Sequence, residues 1–383
     1  MSLSIVLPGG SRYELKGGAG HPVPAGPARS RLAFAAAHVV ADPLADNVPG
    51  APAVLDWAAT LAFRHHLWRY GLGVAEAMDT AQRGMGLDYP VTRELIRRSA
   101  AEARAVGGRI AAGVGTDQLP PGTAALGAVR EAYTEQLGMV LDAGAQPILM
   151  CSRELARSAR DADDYLSVYS GLLGQVDRPV ILHWLGPMFD PQLSGYWGSS
   201  DVDTAAEMVL ALVKAHASTV DGVKVSLLDE DFEVALRRRL PDGVRLYTGD
   251  DFNYPALILG DGSGYSDALL GIFAAIAPAA AAALHALDRD DVPTYTRILA
   301  PTVPLARHVF AAPTFYYKTG IVFLAWLAGY QEHFTMVGGL QAGRSPAHCA
   351  TLLRLADAAG LLPDADLAAA RARAYFTVAG VDQ

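Results

Sequence analysis

The sequence predicts an α/β fold, a (β/α)8 TIM barrel carrying a C-terminal helical extension. Three observations predict it. Eight short apolar runs alternate with longer amphipathic ones across about 240 residues, the βα period of a closed barrel. The short runs are almost continuously apolar, as expected of parallel strands covered on both faces. No G-x-G-x-x-G opens a helix after the first run, which counts against a doubly wound open sheet.

The elements follow in order. Residues 1–30 read as an N-terminal hairpin and extension, because Pro8, Gly9 and Gly10 break two short polar segments. The barrel is expected over 31–270, with strands at 32–40, 73–77, 109–114, 146–151, 179–185, 220–227, 244–248 and 262–266. Helical periodicity falls between them, at 54–70, 91–106, 122–142, 152–174, 203–216, 230–239 and 254–259. Past about residue 270 the strand signal stops. Residues 271–383 form the helical region, with helices at 278–287, 294–299, 304–310, 319–330, 346–359 and 365–376, punctuated by Pro293, Pro301, Pro304 and Pro313.

Composition narrows the function. With 383 residues, 51% hydrophobic and 19% charged, the chain is too apolar for disorder. A net charge of -9 argues against a nucleic-acid partner, which needs clustered Lys and Arg. Two cysteines, Cys151 and Cys349, exclude a disulfide scaffold and fit a cytoplasmic protein. No membrane span is expected. The most apolar stretch, 268–284, is dominated by alanine and interrupted by Pro278, and reads as buried helix. The first twenty residues are too polar for a signal peptide. A small-molecule substrate is the partner that remains.

Only four of the 31 basic residues are lysines: Lys16, Lys214, Lys224 and Lys318. Lys224 lies in the sixth strand, where alternation groups it with Gly222 and Ser226, opposite Val223 and Val225. Barrel strands point alternate side chains inward, and an inward amine is partly dehydrated. A neutral amine attacks a carbonyl and forms a Schiff base, an electron sink that needs no dissociable cofactor. The same pattern also fits a lysine whose stem packs while its head reaches water, or one held in an ion pair. In a barrel the reacting groups gather at the C-terminal strand ends. There the sequence offers Asp79, Thr80 and Gln82 after strand two, His183 in strand five, Ser226 in strand six, Tyr247 in strand seven and Tyr265 in strand eight. An alternative chemistry would use His38, Glu76 and His183 as a divalent-metal set for a sugar isomerase, epimerase or lyase. A barrel that only binds its ligand is a third reading. Residues 191–198, with Tyr196 and Trp197 between glycines, read either as a lid or sugar-stacking wall or as a loop with an aromatic anchor.

Several stretches carry a family resemblance. Gly222-Val223-Lys224 resembles the G-[IV]-K element of the dihydrodipicolinate synthase / N-acetylneuraminate lyase superfamily of class I aldolases. Residues 111–116 resemble its strand-three A-G-x-G segment, Tyr247-Thr248-Gly249-Asp250-Asp251 its S-G-D-D turn, and 259–266 its L-G-x-x-G-x-I-S segment. Tyr316-Tyr317-Lys318 is similar to its late P-x-K helix start. The likeness covers roughly residues 30–362 and points to a domain-of-unknown-function branch of that fold. It implies a Schiff-base aldolase, lyase or dehydratase acting on a small keto acid or keto sugar acid through Lys224. It further implies a homo-oligomer, a dimer or tetramer. The chain departs from the pattern in two places. His183 stands where the family has its proton-relay tyrosine, and a histidine's pKa of about 6.5 suits proton transfer. Asp79-Thr80-Ala81-Gln82 replaces the G-T-T-G-E that holds a keto-acid carboxylate, leaving Thr80 as the match.

Overall fold

The computed structural model describes residues 3–383. An antiparallel hairpin opens the chain, β1 (Ser4–Val6) pairing with β2 (Arg12–Glu14). Eight strands then close a barrel: β3 (Ala33–Ala36), β4 (Gly73–Glu76), β5 (Ile110–Val114), β6 (Gln146–Leu149), β7 (Val180–Leu185), β8 (Val220–Ser226), β9 (Arg245–Thr248) and β10 (Asp267–Leu270). They run round the ring in chain order, β10 next to β3, and the pairs from β4 to β10 are parallel. Helices α1 (Trp57–Arg69), α2 (Tyr89–Val106), α3 (Leu126–Ala143), α4 (Arg153–Ser158), α5 (Ala162–Leu173), α6 (Val202–Ala215), α7 (Glu230–Arg237) and α8 (Tyr254–Leu259) alternate with them along the chain. Then come α9 (Ile272–Ala275), α10 (Ala277–Leu287), α11 (Val292–Leu299), α12 (Thr302–Val309), α13 (Tyr317–Leu327), α14 (Pro346–Ala358) and α15 (Ala365–Val378). The predicted (β/α)8 barrel with C-terminal helices is therefore the observed fold.

Two compact units divide the chain. One comprises the described residues up to Leu72 together with Asp79–Leu87 and Gly271–Gln383; the other comprises Gly73–Met78 and Asp88–Leu270. In the first, Asp357 of α14 accepts from the Tyr13 hydroxyl at 2.7 Å and from the Lys16 and Gly17 amides at 3.1 and 2.8 Å. This carboxylate fastens the opening hairpin to the last helices. In the second, strands β4 to β10 bury their apolar residues, Val114, Ile148, Leu182 and Val223 among them.

The eighth strand differs from expectation. Residues 262–266 are not a strand: Asp261 and Gly264 close a tight turn, and the strand is Asp267–Leu270. Glycine and serine favour the turn, while Asp267 and Ala268 take the register opposite Tyr247 and Thr248 of β9. The helix expected at 152–174 is two helices. Ala159 leaves the helical region at ψ 134, and Asp161 restarts it by accepting from the Asp164 amide.

Candidate active site

Lys224 is 5% exposed and sits in the middle of β8, in register with His183 of β7 on one side and Tyr247 of β9 on the other. Residues in register on parallel strands share a face. The adjacent Trp184 points the other way, its ring 5.4 Å from Phe232 on α7 and edge-on to it. Since α7 lies outside the barrel wall, His183 and Lys224 face its interior. Two glycines make room nearby, Gly222 for the Tyr247 ring and Gly249 for Lys224 and Ser226. A Cβ on Gly222 would lie 2.8 Å from the Tyr247 ring, and one on Gly249, just past β9, would lie 2.9 Å from Lys224 Cε and 2.2 Å from Ser226 Oγ.

His183 is fully buried, and its Nε2 lies 3.3 Å from Ser226 Oγ. Its Nδ1 has no hydrogen-bond partner in the protein. Burial first, and the neighbouring Lys224 cation second, hold its pKa well below the usual histidine value, so the ring is neutral at pH 7. Lys224, His183 and Ser226 are thus the predicted site residues that the fold brings together. The chemistry open to them is that of a buried amine beside a neutral imidazole and a hydroxyl.

The other predicted residues each have contacts of their own. The Tyr247 hydroxyl donates to Asp221 at 2.5 Å, near the N-terminal end of β8, and is turned away from the C-terminal strand ends. Burial and Asp221 raise its pKa. Tyr265 is 47% exposed and precedes β10, because the eighth strand starts later than expected. Asp79, Thr80 and Gln82 belong to the other unit. There the Tyr317 hydroxyl lies 2.6 Å from Thr80 Oγ1 and donates to Asp79 at 2.7 Å. The Gln82 amide donates to the Val337 carbonyl at 2.8 Å. His38 Nε2 lies 2.7 Å from Gln331 Oε1, and burial pushes its pKa down to about 3. Glu76 Oε1 accepts from the Ala77 amide at 2.9 Å. Among the described residues no group of three or more His, Cys, Asp and Glu side chains could hold a metal ion, so the His38, Glu76 and His183 set is not assembled.

Tyr196 and Trp197 form an anchor and not a stacking wall. They are buried, with the Tyr196 hydroxyl accepting from the Ser152 amide at 3.0 Å and the Trp197 ring 4.5 Å from Tyr169. The Cys151 thiol, pushed up to about 12 by burial, is protonated and donates to the His183 carbonyl at 3.2 Å. Lys318 is buried and donates to the Phe315 carbonyl at 3.0 Å.

Comparison with known proteins adds the family. The family described as "Protein of unknown function (DUF993)" matches over residues 8–381. The chain belongs to this family. No curated protein matches it. Among solved structures, this DUF993 chain is similar to dihydrodipicolinate synthase from Cyanidioschyzon merolae with lysine bound. That match has 16% identity and a TM-score of 0.65, covering 87% of this chain and 100% of that one. A putative dihydrodipicolinate synthetase from Pseudomonas aeruginosa matches at 14% identity and 0.64, covering 86% and 99%. The Aquifex aeolicus dihydrodipicolinate synthase matches at 15% and 0.62, covering 86% and 98%. At such identities the likeness is one of fold.

Two residues important to this geometry escaped sequence reading. Gly249 carried a family likeness but no sign that its missing Cβ accommodates a lysine. Glu233 sits on the buried face of α7, between Thr248 Oγ1 at 2.9 Å and Ser266 Oγ at 2.8 Å. A charged residue on the apolar face of an amphipathic helix was the available signal.

Proposed function

We propose that the protein is a Schiff-base lyase, an aldolase or dehydratase that acts on a small keto acid or keto sugar acid through Lys224. One observation carries the reading: a 5% exposed lysine on the inner face of a closed barrel, with a glycine against its Cε and a neutral histidine in register beside it. The amine attacks the substrate carbonyl, loses water and leaves an imine that draws electrons from the adjacent carbon. His183 moves the proton. The dihydrodipicolinate synthase fold supports the same class of chemistry. With the reading goes a homo-oligomer, a dimer or tetramer, which light scattering of the purified protein tests.

Borohydride reduction in the presence of pyruvate or other small keto acids should add the substrate mass to the Lys224 peptide, and Lys224→Ala should abolish both labelling and turnover. A Lys224→Ala protein with full turnover, or labelling confined to another lysine, would overturn the assignment. Thermal stabilisation by a metabolite with no labelling would point instead to a binding barrel.

A further inference from the structure

We propose that Tyr247 positions Lys224: its ring forms a floor that turns the amine toward the C-terminal strand ends and shields it from water below. The inference rests on Lys224 as the imine-forming amine, and Tyr247 itself touches no substrate. The two residues are in register on β8 and β9, so both side chains start from the inner face of the wall. They then part. The fully buried Tyr247 ring lies back across Gly222, where a Cβ would come within 2.8 Å of a ring carbon. Lys224 instead carries its Cε up to Gly249, just past the end of β9. The ring therefore occupies the interior one pleat below the amine.

A bulge in β8 holds the ring down. Val180 and Ile181 are consecutive in β7, yet they pair with Val220 and Gly222, leaving Asp221 as the extra residue. A bulge re-aims a side chain, and the Asp221 carboxylate here accepts from the Tyr247 hydroxyl at 2.5 Å. Behind that bond the half-exposed Arg245 spans two carboxylates, 3.6 Å from Asp221 and 3.3 Å from Asp267. All three charged residues stand at or next to the N-terminal ends of their strands. Water entering there meets the ring before it meets the amine.

The amine attacks a carbonyl only in its neutral form, and dehydration favours that form. The ring supplies the dehydration from below, while Gly249 leaves room above. Neither neighbour in register titrates near pH 7. Burial, before any other influence, keeps the His183 ring neutral and the Tyr247 hydroxyl protonated there. A change in the pH dependence of imine formation therefore reports on the amine.

Trapping of pyruvate on Lys224 with cyanoborohydride, followed from about pH 6 to about pH 9 in the full-length protein, tests this. Tyr247→Ala opens a cavity that water can enter beneath the amine. Its labelling at pH 7 should fall about tenfold and its half-maximal pH should rise by about one unit, because a hydrated amine keeps its proton. Tyr247→Phe keeps the ring and should label as the wild type does at every pH. Circular dichroism checks folding, and Tyr247→Leu, which leaves a smaller gap, stands in should the alanine variant fail to fold. A half-maximal pH that stays at the wild-type value in the folded variant overturns the inference. So does a Tyr247→Phe protein impaired as much as that variant, since the ring would then not be what sets the amine. Failure of wild-type Lys224 to label with either pyruvate or acetone overturns the imine reading itself.

Discussion

A single methyl group at Gly249 would collide with two of the three residues of the candidate site, Lys224 and Ser226. Built there, it lies 2.2 Å from Ser226 Oγ, 2.7 Å from the Val225 carbonyl and 2.9 Å from Lys224 Cε. The two side chains can move, but the carbonyl belongs to β8 and cannot move without bending the strand. Overpacking of this kind costs about 1–3 kcal/mol. Gly249→Ala should therefore lower the thermal midpoint and cut borohydride labelling of Lys224 at least about tenfold. Unchanged midpoint and labelling would show that the amine does not depend on that space. Nothing in the residue type announces this, since the sequence marks Gly249 only as part of a turn. The face that Lys224 shares with Gly222 and Ser226, by contrast, was legible from alternation with Val223 and Val225, because successive strand residues point to opposite faces whatever the fold.

Between elements, the buried carboxyl of Glu233 joins α7 to the end of β9 through Thr248 and to the residue before β10 through Ser266. Burial is the largest influence on it, and pushes its pKa up to about 8 against the hydrogen bonds from Ser266 and Thr248. The sign then follows. Above about pH 4.5 the unfolded chain releases this proton while the folded chain keeps it, so the wild type loses stability as pH rises, until the folded group also ionises near 8. Glu233→Gln cannot ionise. Its stability relative to wild type should grow from about pH 5 to 8 and then level off. Urea unfolding across that range measures it, and a constant difference would mean the carboxyl is already ionised in the fold. Asp56, Asp88, Asp201, Asp229, Asp291 and Asp364 each accept from a backbone amide in the first turn of a helix the sequence predicts, whereas the start after Asp161 was missed inside the single helix expected at 152–174. The eighth strand was not readable. Only Gly271 separates its apolar residues from the α9 run, and pairing with β9 distinguishes strand from helix.

At the level of the whole molecule, distant parts of the chain depend on one another. Asp357 holds Tyr13, Lys16 and Gly17 across more than 300 residues of sequence. Replacing it leaves three donors in a partly buried place without this acceptor, and a net hydrogen bond contributes about 0.5–1.5 kcal/mol. Asp357→Ala should lower the midpoint by several degrees and make the first twenty residues readily cleaved by trypsin at Lys16. A midpoint within one degree of wild type would show the hairpin is held by apolar contacts alone. The barrel, its strand order and the lysine in its sixth strand were all open to inference from the chain, since they follow from local periodicity and short-range sterics that every residue carries with it. The neutrality of His183, its partnerless Nδ1, the fit of Gly249 against Lys224 and the removal of Tyr247 and Tyr265 from the site were not. Those depend on which groups lie within a few ångströms after folding, where burial and contact, not neighbouring sequence, set charge and direction.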